Sequence, residues 1–188
     1  MKNVLLVHGF NGIPNVFHYF KNELDKFGYN VIMPNFPIKE DITIEKYFNV
    51  FDEYRDYFNE DLIVIAHSIG NPMFIKYIAK NNFKIKKYIS LAGFSEEFFN
   101  EGKDILNEKV KLTRLTELEK IYAKEFIKER YSIYSDSDHL VPFDILEKYC
   151  KDIDSFPVQM KDIGHMGKRS GLKKLPKVIE LLKIDKKI

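Results

Sequence analysis

The chain has 188 residues, of which 45% are hydrophobic and 31% are charged. This length corresponds to about one domain, and the apolar fraction is too high for a disordered protein. The formal net charge of +2 argues against an electrostatic nucleic-acid binder, because such proteins concentrate Lys and Arg on one face. The single cysteine, Cys150, cannot form an internal disulfide, and no apolar run reaches the roughly 20 residues of a membrane span. We therefore predict a cytoplasmic protein that binds neither nucleic acid nor a membrane.

Short apolar runs alternate with helical periodicity along the whole chain. Residues 4–7 form the first apolar run and predict a strand, which is followed by a helix that begins at Pro14 and stops at Gly28. Apolar residues in this helix recur every three or four positions, so they share one face. Similar patterns predict further strands, separated by helical segments, over 29–33, 62–66, 85–91, 130–134 and 158–160.

This alternation predicts the fold class. Parallel strands need helical crossovers, so the sequence favours an α/β three-layer sandwich, with helices on both faces of a mostly parallel sheet of about six strands. No repeat or linker interrupts the pattern, so we expect one domain over residues 1–188. Residues 96–128 hold two amphipathic helical stretches, and Thr116 with Glu119 has the pattern of a capping box. We expect this helical insert to fold over the sheet edge as a small lid.

The segment Ala66-His67-Ser68-Ile69-Gly70 lies between the most strongly apolar strand and the helix that follows it. In a strand–serine–helix turn of this kind the central residue is strained, and the residues two before and two after it must be small. Ala66 stands where glycine is usual and still satisfies this requirement. A lone five-residue match also fits a structural serine in a loop. The context favours Ser68 as a nucleophile at a helix N-terminus.

Candidate partners for this serine follow in the order Ser, acid, His. Asp136 and Asp138 come directly after the fifth strand, where the carboxyl ends of parallel strands face a ligand crevice. We favour Asp138 as the acid, since it lies deeper in the turn that exits through Pro142, and we interpret Asp136 as a turn residue. A purely structural turn is the alternative for both aspartates. His165 follows the last strand, between glycines that let its ring lie over the sheet edge, and is the candidate base.

Two backbone N–H groups are expected to form an oxyanion hole. One belongs to Ile69, directly after the candidate nucleophile, and the other to the loop after the first strand. Gly9 and Gly12 let that loop approach a ligand closely, and we assign Phe10 as its donor, with Asn11 as the weaker choice. The glycines also suit a plain strand-to-helix turn, which does not exclude this role.

Aromatic and aliphatic residues near the predicted strand ends indicate an apolar acyl pocket. Phe98 and Phe99 of the insert are expected to cap it, and its predicted lining is Phe10, Asn11, His67, Phe94, Phe98, Leu140 and Met166. The histidine spacing typical of a metal site is absent, as are the Gly-rich patterns typical of nucleotide sites. We therefore expect neither a metal nor another cofactor.

Taken together, these motifs resemble the α/β-hydrolase superfamily, and more narrowly the small YdeN-like serine hydrolases related to retinoblastoma-binding protein nine. The resemblance covers nearly the whole chain and rests on residues 4–9, residues 66–70, Asp138 with Val141-Pro142, and Gly164-His165. It implies a compact fold that lacks the first two strands of larger hydrolases. It also implies Ser68 as nucleophile, Asp138 as orienting acid and His165 as base.

The expected reaction is acyl transfer to water, with a small-molecule acyl substrate as the partner. The leading interpretation is a carboxylesterase that acts on a small or medium acyl group rather than on a highly charged substrate. Thioester or aminopeptidase-like amide hydrolysis by the same residues is the first alternative. The second alternative is a non-catalytic protein-interaction module on a hydrolase scaffold, because a fold does not guarantee a function.

Overall fold

The computed structural model of the protein describes residues 2–183, so residue 1 and residues 184–188 of the predicted domain lie outside the described residues. The strands are β1 (Asn3–Val7), β2 (Asn30–Ile32), β3 (Ile63–His67), β4 (Ile85–Leu91), β5 (Ile127–Ser135) and β6 (Phe156–Met160). The helices are α1 (Asn15–Lys26), α2 (Ile44–Glu53), α3 (Gly70–Asn81), α4 (Asp104–Thr113), α5 (Glu117–Phe126), α6 (Phe143–Asp152) and α7 (Pro176–Lys183). Within this part of the chain, no helix combines the length and the apolar character needed to cross a membrane.

All six described strands pair in parallel, in the order β2-β1-β3-β4-β5-β6. This confirms the predicted α/β class with a parallel sheet of about six strands. The chain runs from β1 outward to β2 and then returns to β3 on the other side of β1. The direction of winding therefore reverses between β1 and β3. Open α/β sheets bind ligands at such a point, outside the carboxyl ends of the strands.

The helices form two layers, one on each face of the sheet. The connections from β1 to β2 and from β3 to β4 move in opposite directions, so right-handed crossovers put α1 and α3 on opposite faces. Helix α7 packs against α1, whereas α2 and α5 pack against α3. Because both faces are covered at the centre of the sheet, every residue of β3 is buried. This is why β3 has the continuous apolar run that made it recognisable in the sequence.

Strand β5 is longer than the prediction over 130–134, since it begins at Ile127. Its polar start pairs with β4, where Glu129 lies opposite Lys87. The Lys87 ammonium is 3.3 Å from the Glu129 carboxylate and donates a 2.9 Å hydrogen bond to the Leu181 carbonyl oxygen of α7. A strand whose charged residues find partners in other elements lacks a local apolar signature, so the sequence pattern did not reveal this extension.

The predicted insert over 96–128 contains α4 and α5, which have different surroundings. The capping box is present at α5: the Glu119 N–H donates to Thr116 Oγ1 at 3.2 Å, and the Thr116 N–H donates to the Glu119 carboxylate at 2.7 Å. Glu119 also pairs with Lys76 of α3 at 3.0 Å, so α5 is the crossover helix between β4 and β5. Helix α4 is the additional element, and it contacts the short helical turn Lys39–Asp41 after β2. A lid role for this insert stays a prediction, as does the single-domain assignment.

Candidate active site

Ser68 occupies a sharp turn between β3 and α3. Its φ of 54° lies in the left-handed region that residues with a side chain rarely adopt, and its N–H donates a 2.9 Å hydrogen bond to the Leu91 carbonyl oxygen. A side chain at Gly70 would clash, because its Cβ would lie 2.6 Å from the His8 carbonyl oxygen. The strained turn therefore holds Ser68 at the carboxyl end of β3, close to the end of β1.

The imidazole of His165 lies between Ser68 and Asp138. Its Nε2 is 3.0 Å from Ser68 Oγ, and its Nδ1 is 2.9 Å and 3.1 Å from the two carboxylate oxygens of Asp138. Because an ionised carboxylate can only accept hydrogen bonds, Nδ1 carries the proton and donates it. In the neutral imidazole, Nε2 is then unprotonated and accepts a hydrogen bond from the Ser68 hydroxyl. Three residues that are remote in sequence thus form one continuous hydrogen-bonded chain.

Asp138 is the aspartate that the fold brings to His165. Its side chain is 1% exposed, and one carboxylate oxygen accepts the N–H groups of Leu140 at 2.9 Å and Val141 at 3.0 Å. Burial opposes ionisation, but the hydrogen bonds from His165 and from the two backbone groups outweigh it and lower the pKa of Asp138 below its usual value. The carboxylate is therefore charged at neutral pH and orients the His165 ring.

Asp136 lies outside this chain of hydrogen bonds. Its side chain is exposed, and its carboxylate accepts the Asp162 N–H at 3.0 Å, which ties the turn after β5 to the loop after β6. Ser137 makes a similar connection, because its Oγ accepts the Gly164 N–H at 3.1 Å. Both contacts position the loop that carries His165. The sequence analysis missed Ser137, since nothing in a polar turn indicates which backbone it will meet.

The loop after β1 lies directly against the turn at Ser68. A Cβ at Gly9 would be 2.8 Å from the His67 carbonyl oxygen and 2.9 Å from Ser68 Cβ, so this approach requires glycine. The N–H groups of Phe10 and Ile69 have no protein acceptor among residues 2–183. The loop and the turn are in close contact where Gly9 lies against Ser68. The residues that follow these two in the sequence, Phe10 and Ile69, therefore present unpaired main-chain donors beside this contact.

His8 holds the loop after β1 in place. The Phe36 N–H donates to His8 Nε2 at 3.0 Å, and the Tyr47 hydroxyl donates to the His8 carbonyl oxygen at 3.1 Å. Burial lowers the pKa of His8, and the charge of Lys168 acts in the same direction against the hydrogen bond with Gly9. The ring is therefore neutral and serves as an acceptor for the backbone. No local sequence pattern reveals this role of His8, because its partners come from distant segments.

A buried polar network supports the turn at Ser68 from the core side. Asn71 Nδ2 donates to the carbonyl oxygens of Ser68 at 2.9 Å and Leu91 at 3.1 Å. The Tyr88 hydroxyl donates to Asn71 Oδ1 at 2.6 Å and lies 2.9 Å from the Tyr149 hydroxyl. The Asn71, Tyr88 and Tyr149 side chains are fully buried, and a satisfied network of this kind rigidifies the residues around it. No sequence pattern singled out these three residues.

His67 is buried beside His165, and the centroids of the two rings are 4.9 Å apart. Its Nε2 donates a 2.8 Å hydrogen bond to the His165 carbonyl oxygen. Burial is the main cause that lowers the pKa of His67 from 6.5 to about 3. The ring is therefore neutral in the folded protein at neutral pH, and its hydrogen bond helps to fix the loop that carries His165.

Replacing His67 with glutamine is expected to reduce the loss of stability in acid. This histidine is protonated near pH 6.5 in the unfolded chain and only near pH 3 in the folded protein. Its contribution to the free energy of unfolding is therefore complete above pH 6.5 and declines as the pH falls. The decline is about 1.4 kcal/mol in the free energy of unfolding per pH unit. Urea unfolding at several pH values should therefore show a shallower decline for His67→Gln than for the wild type between pH 6 and 4. Equal slopes would contradict the neutral, buried state of His67.

The Ser68 and His165 side chains border a cavity of about 500 Å³. It is also bordered by six of the predicted lining residues, namely Phe10, Asn11, His67, Phe94, Phe98 and Leu140. The prediction for Met166 is wrong: its side chain is fully buried in the hydrophobic core, because the preceding His165 takes the cavity side of this tight loop. Phe99 does not border the cavity and is 75% exposed. Within residues 2–183, no group of three or more His, Cys, Asp or Glu side chains is arranged to hold a metal ion.

Several solved structures have the same fold. The ydeN gene product from B. subtilis superposes with a TM-score of 0.83 at 21% identity, over 97% of each chain. A carboxylesterase structure from Nitrososphaera gargenis gives a TM-score of 0.72 at 12% identity, over 96% of this chain and 88% of that one. A putative YdeN-like hydrolase from Pectobacterium atrosepticum gives 0.70 at 13% identity, over the same two fractions. At such low identities, the likeness shows the fold alone.

The family of the protein is shown by its amino-acid sequence. No curated protein sequence matches the chain significantly, but the pattern of the serine hydrolase family matches residues 4–184. This range includes the six-stranded sheet except Asn3, and every residue of the hydrogen-bonded chain around His165. The protein therefore belongs to the serine hydrolase family and has the compact α/β-hydrolase fold of the YdeN-like proteins.

Proposed function

We propose that the protein hydrolyses carboxylic esters through an acyl-enzyme on Ser68. The observation that carries this proposal is the hydrogen-bonded chain at the cavity wall, in which His165 Nε2 is 3.0 Å from Ser68 Oγ and His165 Nδ1 is 2.9 Å from Asp138. This is the arrangement in which an imidazole activates a hydroxyl and a carboxylate orients the imidazole.

In the proposed reaction, Ser68 Oγ attacks the ester carbonyl carbon as the hydroxyl proton moves to His165 Nε2. The tetrahedral intermediate collapses when the protonated His165 gives this proton to the leaving alkoxide, which departs as an alcohol. Water then attacks the acyl-enzyme while His165 takes up one of its protons. Return of that proton to Ser68 Oγ releases the carboxylic acid and regenerates the starting state. Asp138 stays ionised throughout and stabilises the imidazolium.

The N–H groups of Phe10 and Ile69 are proposed to stabilise the oxyanion of the tetrahedral intermediate. Both are unpaired within the described chain, and the hydrogen bonds of His8 and Asn71 hold the two backbone segments that carry them. Donors fixed in this way need no reorganisation when charge develops, and one such donor typically contributes about 2.7–4 kcal/mol to the transition state.

The cavity favours an acyl group of small or medium size. Its volume of about 500 Å³ is in the range of ordinary small-molecule pockets. Much of its wall is apolar, contributed by Phe94, Phe98, Leu106, Leu140 and Val141. An aliphatic acyl chain of several carbons would bury its surface against these side chains, which is a source of affinity for an ester such as phenyl hexanoate.

A fluorophosphonate probe tests whether Ser68 is an activated nucleophile. We expect the wild-type protein to be phosphonylated on the peptide that contains Ser68, because the probe reacts only with a serine whose proton is removed. The Ser68→Ala and His165→Ala variants should not be labelled, whereas Ser155→Ala should be labelled like the wild type, since Ser155 pairs with Ser132 away from the cavity. A folded wild-type protein that resists the probe and does not hydrolyse phenyl hexanoate would establish a non-catalytic module instead.

The same residues would also serve thioester or amide hydrolysis. Similar folds include the carboxylesterase structure from Nitrososphaera gargenis and the thioesterase domain from the curacin biosynthetic pathway, with a TM-score of 0.64 at 14% identity. We propose the ester because the carboxylesterase is the more similar of the two in fold. Comparison of kcat/KM for hexanoyl esters, thioesters and anilides with related leaving groups would show which is preferred.

A further inference from the structure

The cavity wall carries charged side chains in addition to its apolar ones. Four of the bordering residues are basic and two are acidic: Lys39, Lys103, Lys168 and Arg169 against Glu40 and Asp104. The proposed ester hydrolysis uses none of them. They do, however, determine which molecules can enter, because a charge excess at a cavity mouth attracts ligands of the opposite sign.

Two of these basic residues are anchored beside the loop after β1. The ammonium of Lys168 would lie 3.5 Å from a Cβ at Gly12, and its charge contributes to the lowered pKa of His8 after the larger effect of burial. Lys39 donates its backbone N–H to the Phe10 carbonyl oxygen at 3.1 Å. Its φ of 50° shows that it holds a backbone conformation unusual for a residue with a side chain. The Lys168 ammonium and the backbone of Lys39 therefore lie beside the segment that carries the proposed oxyanion donor Phe10.

The basic residues beside the loop after β1 have no acidic partner among the residues that the structure describes. Within residues 2–183, no ion pair involves Lys39, Lys168 or Arg169, and the nearby Asp41 is already paired with Lys46 at 2.8 Å. All three basic side chains are exposed. Glu40 offsets part of their charge, which leaves an excess of two positive charges among these four residues (3 − 1 = 2).

Sheet topology separates three apolar residues of the cavity wall from Lys39 and Lys168. Phe94, Phe98 and Leu140 come from the loops after β4 and β5, whereas Lys39 follows β2 and Lys168 contacts the loop after β1. The strand order β2-β1-β3-β4-β5 sets β3, which carries Ser68, between these two groups of loops. A substrate whose carbonyl lies at Ser68 would therefore have Phe94, Phe98 and Leu140 on one side, and the other side would offer the charges of Lys39 and Lys168.

We propose that the substrate is an amphiphilic ester with an apolar group on one side of the carbonyl and a carboxylate on the other, bound by Lys168, Arg169 and Lys39. This rests on the proposed ester hydrolysis. One anionic group suffices, so the inference agrees with the expectation that the substrate is not highly charged. Arginine offers a carboxylate two parallel hydrogen bonds, and lysine adds a point charge.

Two matched pairs of esters test this. In the first pair, monophenyl adipate is compared with phenyl hexanoate, and it carries a carboxylate on the acyl group. In the second pair, 4-carboxyphenyl hexanoate is compared with phenyl hexanoate, and it carries the carboxylate on the leaving group. Each kcat/KM is divided by the rate of spontaneous hydrolysis. For the wild type at low ionic strength, we expect one anionic ester to exceed its neutral match by about tenfold, the combined effect of a few exposed charge pairs. The preference should shrink in about 0.5 M salt, where the Debye length falls to a few ångströms.

The decisive variant is the double substitution Lys168→Gln with Arg169→Gln. We expect the ratio of kcat/KM for the anionic ester to kcat/KM for the neutral ester to fall by about fivefold or more in this variant. Its matched control is Lys173→Gln with Lys174→Gln, which removes the same charge from the same loop at exposed positions that do not border the cavity. The control should keep the wild-type ratio.

The outcomes separate this inference from the proposed function. If the wild type hydrolyses phenyl hexanoate through Ser68 but prefers neither anionic ester, the inference fails and the esterase proposal stands. Retention of the preference by the Lys168/Arg169 variant, or equal loss in the control, would also overturn the inference. If the wild type hydrolyses none of the three esters, the esterase proposal fails first, and the inference fails with it.

Discussion

Substitution of Ser68 by alanine is expected to lower kcat for phenyl hexanoate by about a million-fold, the loss measured when a nucleophilic serine of this type is removed. The hydroxyl is the group that takes the acyl group from the ester in the proposed reaction, so neither His165 nor the oxyanion donors can compensate. The removed oxygen hydrogen-bonds only to His165 Nε2 within the described chain. Folding should therefore be preserved, which circular dichroism and thermal unfolding can check.

The matched control for this prediction is Ser155→Ala. Ser155 Oγ lies 2.6 Å from Ser132 Oγ between β5 and β6, and neither serine borders the cavity. The control should retain kcat within about twofold, the range of ordinary surface substitutions. Turnover by Ser68→Ala at the wild-type rate would show that hydrolysis takes another route and would refute the proposed acyl-enzyme.

Substitution of Asp138 by asparagine is expected to lower kcat by about ten-thousand-fold, as in other triads of this kind. The Asp138 carboxylate requires the proton of His165 to be on Nδ1, so that Nε2 can accept from Ser68. An amide at this position can donate to Nδ1 and favour the opposite tautomer. Nε2 would then carry a proton and could no longer accept the one from Ser68.

The neighbouring aspartate provides the control for this second prediction. Asp136 differs from Asp138 by two positions, but its carboxylate is exposed and accepts the Asp162 N–H. Asp136→Asn should therefore reduce kcat only a few-fold. A larger rate loss in Asp136→Asn than in Asp138→Asn would reverse the assignment of the acid.

The central part of the fold was predictable because its signals are local. Strand β4 was predicted over the residues at which it is observed, 85–91, and the capping box at Thr116 is present as predicted. Both depend on residues within a few positions of one another. The start of β5 was missed, since Lys87 and Glu129 stabilise it only after β4 and β5 have paired.

The residues of the candidate site differ in how much of their position could be predicted from the sequence. The small residues around Ser68 indicated its turn, because the steric requirement acts within five residues. The choice between Asp136 and Asp138 rested on position in the turn, and the structure brings Asp138 to His165. Met166 was misplaced because no local pattern shows that its side chain packs into the hydrophobic core. The catalytic roles of these residues stay predictions.

The amino-acid sequence alone determined the alternation of strands and helices, the strained serine turn and the order of the three candidate catalytic residues. These follow from hydrophobic periodicity and from steric limits on neighbouring residues, both of which act over short stretches of chain. Only the tertiary structure decided which aspartate meets His165, which side chains support the turn from the core, and which charged and apolar side chains share the cavity with Ser68. Those relations join residues tens of positions apart, and they depend on strand order and crossover direction, which no local pattern encodes.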